Sequence, residues 1–295
     1  MAIVTETVTT RDIDYLRHGD QWLKLRLFRP AGDGPFPLIV ILHPGGWAHG
    51  DLTGCQNQGE AWAQAGLAVA SLDFRQGADR YPSSLIDINY AVRWLKSRAA
   101  DFDLDADRVA LSGFSSGGHL AMLAAMRPDD PRYSVLSVGD GSLSLDATVR
   151  CVGVAWPVVN PLSRYRHTKR HLTGEAAARW HASAPEDHHR PDGIIENHHL
   201  YWRDEADMAE GSPLLAMERG ESVATPPALW VQGRPDIVHD YRDPDSDTDI
   251  NEPERFARNY RAAGGEIELL YVDYDKRMGP ACLDPLAAFF RKHLS

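Results

Sequence analysis

The chain predicts an α/β protein built on a mostly parallel, doubly wound sheet, and three observations carry that expectation. Short apolar, β-branched runs recur along it, alternating with helical patterns. One of them, Val109-Ala110-Leu111, passes through Gly113-Phe114-Ser115-Ser116-Gly117 straight into the helical pattern Leu120 to Ala125. From Asn160 to Gly220 the rhythm breaks: no buried-strand pattern is present, while Trp180, Tyr201, Trp202 and many histidines accumulate. That segment reads as a helical cap inserted at about residues 160–220 over the carboxyl ends of the strands, where open α/β sheets bind ligands. Residues 1–295 are expected to form one domain, cap included.

Each element follows from its own pattern. Residues 1–20 are mixed and polar, suited to an edge strand or strap. Leu23 to Phe28 alternates apolar with polar, as a half-buried strand does. Turn chemistry, Arg29 to Pro35, separates it from Leu38-Ile39-Val40-Ile41-Leu42, a strand buried on both faces, which empties into His43-Pro44-Gly45-Gly46-Trp47. Leu67 to Phe74 repeats the buried-strand pattern, and Leu85 to Phe102 places Ile88, Ala91, Val92 and Leu95 at helical spacing. Beyond the Ser115 turn, strands are expected at Val152 to Trp156, Ala228 to Gln232 and Ile267 to Val272. Helices are expected at Pro253 to Ala263 and Leu283 to Leu294.

Composition narrows the function class. Of the 295 residues, 43% are hydrophobic and 25% charged, ordinary for a globular enzyme. A net charge of −11 argues against nucleic acid and anionic membrane surfaces as partners. The three cysteines, Cys55, Cys151 and Cys282, are an odd number without a Cys-x-x-Cys pair. With no secretion signal visible at the start, they predict a reducing, cytoplasmic setting.

The chemistry centres on Ser115. A strand turning sharply into a helix brings two backbones together, and Gly113 and Gly117 have no Cβ to clash there. Ser115 is left at the tip, with the helix N-terminus and the Ser116 amide positioned for an oxyanion. A bare Gly-x-Ser-x-Gly also occurs in ordinary turns, so the second feature matters. Gly45 and Gly46 follow a buried strand about seventy residues earlier, and their amides can approach a substrate oxygen closely. Together with Ser116 they form a candidate oxyanion hole, with His43 and Trp47 as candidate substrate contacts.

On these residues the chain resembles the α/β-hydrolase superfamily over nearly its whole length. Within it the chain is most similar to small bacterial esterases of the feruloyl-esterase-like and arylformamidase-like groups. Leu72-Asp73-Phe74-Arg75 and Gln232-Gly233-Arg234-Pro235-Asp236 extend the match. The resemblance implies Ser115 as nucleophile and Asp236 as the acid. Read from the residues alone, Asp236 leaves a strand through a glycine at the same sheet end as Ser115, and a solvated loop aspartate is the other reading.

One departure stands out. The family places its catalytic histidine after the last strand, but this loop runs Asp273-Tyr274-Asp275-Lys276-Arg277-Met278-Gly279-Pro280. A serine without a base is a poor nucleophile. His239, three residues past Asp236, is the first candidate to replace it; His198 and His199 of the cap, and Lys276, remain alternatives, while His293 sits in the terminal helix. The function expected is therefore a serine esterase cleaving a small-molecule acyl substrate without cofactor, self-association being left open. The alternative is a non-hydrolytic or binding descendant of the fold.

Two weaker signals are set aside. His167, His171, His181, His188, His189, His198 and His199 lack the carboxylates and spacing of a metal site. Asp243 to Glu254 mimics a calcium loop but has Thr248 where the glycine belongs, so an acidic surface loop is expected.

Overall fold

The computed structural model describes residues 8–139, 145–183 and 190–295. His188 and His189, and the first seven residues, lie outside that description. The strands are β1 (Thr9–His18), β2 (Gln21–Arg29), β3 (Phe36–Leu42), β4 (Ala68–Leu72), β5 (Leu104–Phe114), β6 (Cys151–Ala155), β7 (Ala228–Arg234) and β8 (Ile267–Asp273). Among the described residues they form one sheet in the order β1-β2-β4-β3-β5-β6-β7-β8. The β1–β2 and β2–β4 pairings are antiparallel and the rest are parallel.

The period-2 geometry of a strand splits the core into two layers. Leu38, Val40 and Leu42 of β3 enter one apolar cluster, while Ile39 and Ile41 enter the other. Helices α2 (Ser83–Ser97), α3 (Ser116–Met126) and α9 (Glu252–Ala262) cover the first face through Leu85, Leu120 and Phe256. Helices α1 (Gln56–Gln64) and α10 (Pro280–His293) cover the second through Trp62 and Phe290, whose rings meet at 5.3 Å. Burial on both faces explains why these strands read as unbroken apolar runs.

Helix α1 was not among the expected elements. Its sequence, Gln-Asn-Gln-Gly-Glu-Ala-Trp-Ala-Gln, is mostly polar. It docks because Gly59 lies flat against the Phe28 ring: a Cβ there would stand 2.4 Å from Phe28 Cδ2. Tertiary contact overrides propensity in this segment.

Between β6 and β7 lie α4 (Pro161–Lys169), α5 (Gly174–Ser183), α6 (Pro191–Tyr201), α7 (Glu205–Glu210) and α8 (Pro213–Glu218), the segment expected as a helical cap. Proline in the first turn of α4, α6 and α8, and the side chains of Asn160, Asp204 and Ser212 accepting amide bonds, start these helices. No described helix is long and apolar enough to cross a membrane. All three cysteines are free and buried, and burial pushes their thiols up to about 12.

Candidate active site

Parallel pairing delivers the ends of β3, β5, β6, β7 and β8 to the same edge of the sheet, with Leu42 opposite Gly113 and Phe114 opposite Ala155. At that edge β5 turns into α3 through Ser115, whose backbone is held at φ 50° and ψ −117°. An L-residue adopts this conformation only where its surroundings enforce it. The enforcement is visible on both sides. A Cβ on Gly117 would meet Leu42 O at 2.2 Å, and one on Gly113 would meet Gly117 O at 2.4 Å.

The loop after β7 supplies the other two groups. The Ser115 hydroxyl donates to His239 Nε2 across 2.9 Å, and His239 Nδ1–H donates to Asp236 Oδ2 across 2.9 Å. Asp236 is held in turn by the amides of Val238 and His239 on Oδ1 and by Gln232 Nε2 on Oδ2. Both side chains are buried. Burial works to raise the Asp236 pKa, but the His239 ring and the amide bonds outweigh it and hold the carboxyl below its ordinary value. Burial also holds His239 below 6.5, against the opposing pull of Asp236. The pair is therefore a carboxylate and a neutral imidazole at neutral pH, with Nε2 bare toward the serine.

Ser115 and His239 open on a cavity of about 520 Å³. Gly45 and Gly46 line it, with φ of 136° and 64°, and the Gly45 carbonyl accepts the amides of Ala48 and His49 to fold the loop. Phe114 and Trp156 from the strand ends form an apolar wall. Ile194, Glu196 and Asn197 of α6, Arg164 of α4, and Arg277 with Met278 after β8 also line it. Ser116 is buried at the N-terminus of α3. A second depression, of about 660 Å³ between β7, β8 and α10, has none of the candidate catalytic or oxyanion residues on its walls.

Two expected substrate contacts are corrected. Trp47 is only 1% exposed and does not line the cavity. Its Nε1–H donates to His119 Nδ1 at 3.0 Å, and it packs edge-on against His198 and Trp202 and stacks with Tyr201. His43 is likewise buried, stacked on Phe74 at 4.4 Å with Nδ1–H donated to Pro44 O. The indole can be buried because its N–H is bonded, while the ring stacking and the Pro44 bond of His43 offset the burial of its Nε2, which has no partner among the described residues. The cap aromatics Trp180, Tyr201 and Trp202 are equally buried.

The other candidate bases are accounted for. His198 is buried, its Nδ1–H given to Ile194 O, and burial drives its pKa down to about 3. His199 Nε2 meets the Tyr165 hydroxyl at 2.9 Å. Lys276 is paired with Asp273, and that hydrogen bond raises its pKa. His293 packs against the Phe289 ring at a tilt of 47° in α10. None of the four lines the cavity.

Among the described residues no cluster of three or more His, Cys, Asp or Glu side chains could hold a metal ion. The acidic stretch is not simply a surface loop. Asp243 is buried against Arg255, while Asp245 pairs with Arg166 and Arg170. The sequence reading missed Arg164, Asn197 and Arg277. Arg277 carried a usable signal, since it occupies the loop in which a histidine was sought. Arg164 carried none, being one arginine in a polar helix.

A family model described as BD-FAE matches residues 25–155. Among curated proteins, esterase LipC of Mycobacterium tuberculosis is 31% identical over 124 residues, covering 40% of this chain and 30% of that protein. An ethyl acetate hydrolase of Pseudomonas putida is 34% identical over 127 residues, covering 40% of this chain and 37% of that protein. The match thus spans about a third of the length of these relatives. Over nearly the whole chain the architecture is similar to that of EstE1, a thermostable carboxylesterase from a metagenomic library. That likeness has a TM-score of 0.73 at 21% identity and covers 99% of this chain and 92% of EstE1. An esterase of Pyrobaculum calidifontis superposes with a TM-score of 0.72 at 21% identity, covering 97% of this chain and 87% of that one.

Proposed function

We propose that this chain, which has the α/β-hydrolase fold, is a serine carboxylic-ester hydrolase working through an acyl-enzyme on Ser115. The observation that carries the reading is the 2.9 Å contact from the Ser115 hydroxyl to His239 Nε2, continued at 2.9 Å to Asp236. As Ser115 Oγ attacks the ester carbonyl, its proton passes to His239 Nε2, and the imidazolium formed is stabilised by the buried Asp236 carboxylate. The carbonyl oxygen becomes an oxyanion, for which the amides of Gly45, Gly46 and Ser116 are the donors. Each such donor is worth roughly 3 kcal/mol of barrier. His239 then hands the proton to the departing alcohol. A water, deprotonated by the same imidazole, cleaves the acyl-enzyme and restores the hydroxyl.

The alternative of a non-hydrolytic descendant rested on the missing histidine after the last strand. An imidazole on Ser115 Oγ removes that ground. The curated relatives named as ester hydrolases support the same reaction class. A fluorophosphonate probe should label the wild-type chain at Ser115, and Ser115→Ala should lose both labelling and hydrolysis of short activated esters by about 10³-fold or more. Turnover by Ser115→Ala within about threefold of wild type would remove the serine mechanism.

A further inference from the structure

One cation in the cavity wall has no place in the hydrolytic steps. Arg164 projects from α4, is 5% exposed, and lines the same cavity as Ser115 and His239. Its Nε and Nη1 are fully buried, and neither finds a hydrogen-bond acceptor among the described residues. No carboxylate forms an ion pair with it there; its guanidinium lies 5.7 Å from the Trp47 ring centroid instead. Burial drags its pKa down to about 10, with Coulombic interaction with Tyr241 and then Asp236 offsetting part of the loss. A buried cation without hydrogen-bond partners is destabilising, and folded chains keep one where something else satisfies it.

The surroundings say what that partner is. The whole chain carries a charge of −11, a field that opposes an anionic ligand. Yet among the described side chains lining this cavity, Glu196 is the only carboxylate, beside the cations Arg164 and Arg277. A low-dielectric wall bearing cations focuses anion attraction at one mouth of an otherwise acidic surface. A carboxylate supplies both the countercharge and the acceptors that a guanidinium needs.

We propose that the substrate is a carboxylate-bearing ester, such as a dicarboxylic acid monoester, whose free carboxylate is bound by Arg164 while its ester group lies at Ser115. This rests on the ester-hydrolase reading and names its substrate class. Arg164 then acts in binding and orientation, so its contribution falls mainly on KM.

The test compares matched esters with and without the charge. Monoethyl adipate against ethyl hexanoate places the carboxylate on the acyl side; 6-acetoxyhexanoate against hexyl acetate places it on the alcohol side. In the wild type one anionic ester should exceed its neutral partner in kcat/KM by about tenfold or more, chiefly through KM. Arg164→Gln should collapse that ratio to near one, and Arg164→Lys should restore part of it. A wild-type ratio at or below one in both pairs overturns the anion site, whatever the variants do. So does a ratio that survives Arg164→Gln in a chain whose Ser115 still reacts with the fluorophosphonate. Turnover of neutral esters without the preference defeats this proposal alone, whereas no turnover and no labelling of Ser115 defeats the ester-hydrolase reading beneath it.

Discussion

Burial holds the His239 pKa below 6.5, and the direction has a consequence for rate. Protonated imidazole has no lone pair for the Ser115 proton, so kcat/KM falls as pH drops through the His239 pKa. The acid limb of the pH profile should therefore have its midpoint below 6.5, with full activity at neutral pH. His239→Ala should cost about 10³-fold or more in kcat at neutral pH and abolish that limb. A midpoint above 6.5, or a variant that keeps both rate and limb, would point to a different base. At this scale the motif nominated Ser115, and the family resemblance implied Asp236. Choosing among His239, His198, His199 and Lys276 needed distances, since each was an ionisable group in an unplaced loop or cap.

The elements around the site are tied by one bracket. Trp47 of the glycine loop donates to His119 Nδ1 on α3, and His119 Nε2–H donates to Gly211 O at the end of α7. The two bonds together fix the His119 tautomer and join loop, elbow helix and cap. Trp47→Phe keeps most of the packing but leaves His119 Nδ1 buried without a donor. It should lower stability by about 1–3 kcal/mol by denaturant titration, with KM within about threefold of wild type. A large KM change at unaltered stability would instead put Trp47 against the substrate. The strands and α3 were legible because their periodicities are local. The fate of Trp47 was not: a tryptophan beside a glycine pair reads equally well as a wall of the cavity or as packing under the loop.

For the molecule as a whole, buried neutral histidines set an acid limit. Burial pulls His119 and His167 to about 4 and His198 to about 3, all below 6.5. The unfolded chain therefore binds more protons than the folded one as pH falls below 6.5, and stability is lost progressively toward pH 4. Glu252, pushed up to about 8 by burial, and Asp73, also raised by burial, work the other way, while His43 and His239, lowered by burial, add to the loss. A net loss of about 3 kcal/mol or more is expected across this window, lowering Tm by about 6 °C or more. Calorimetry between neutral pH and about 4.5 checks it. A Tm that holds constant or rises on acidification would mean that these rings are not carried neutral in the fold.

What the sequence by itself determined was the doubly wound sheet, the Ser115 turn and the glycine loop, while Asp236 as the acid came from the resemblance. Each rests on constraints acting over a few residues: burial on two faces, a strand meeting a helix, a glycine where a Cβ cannot fit. Only the tertiary structure decided that His239 reaches Ser115, that Trp47 and His43 turn inward, and that Arg164 and Arg277 share the cavity. Ser115 and His239 are 124 residues apart, and Arg164 enters from an inserted helix. Their meeting depends on how the loop after β7 and the segment from Pro161 to Glu218 pack over the sheet edge, and no local backbone preference encodes that packing.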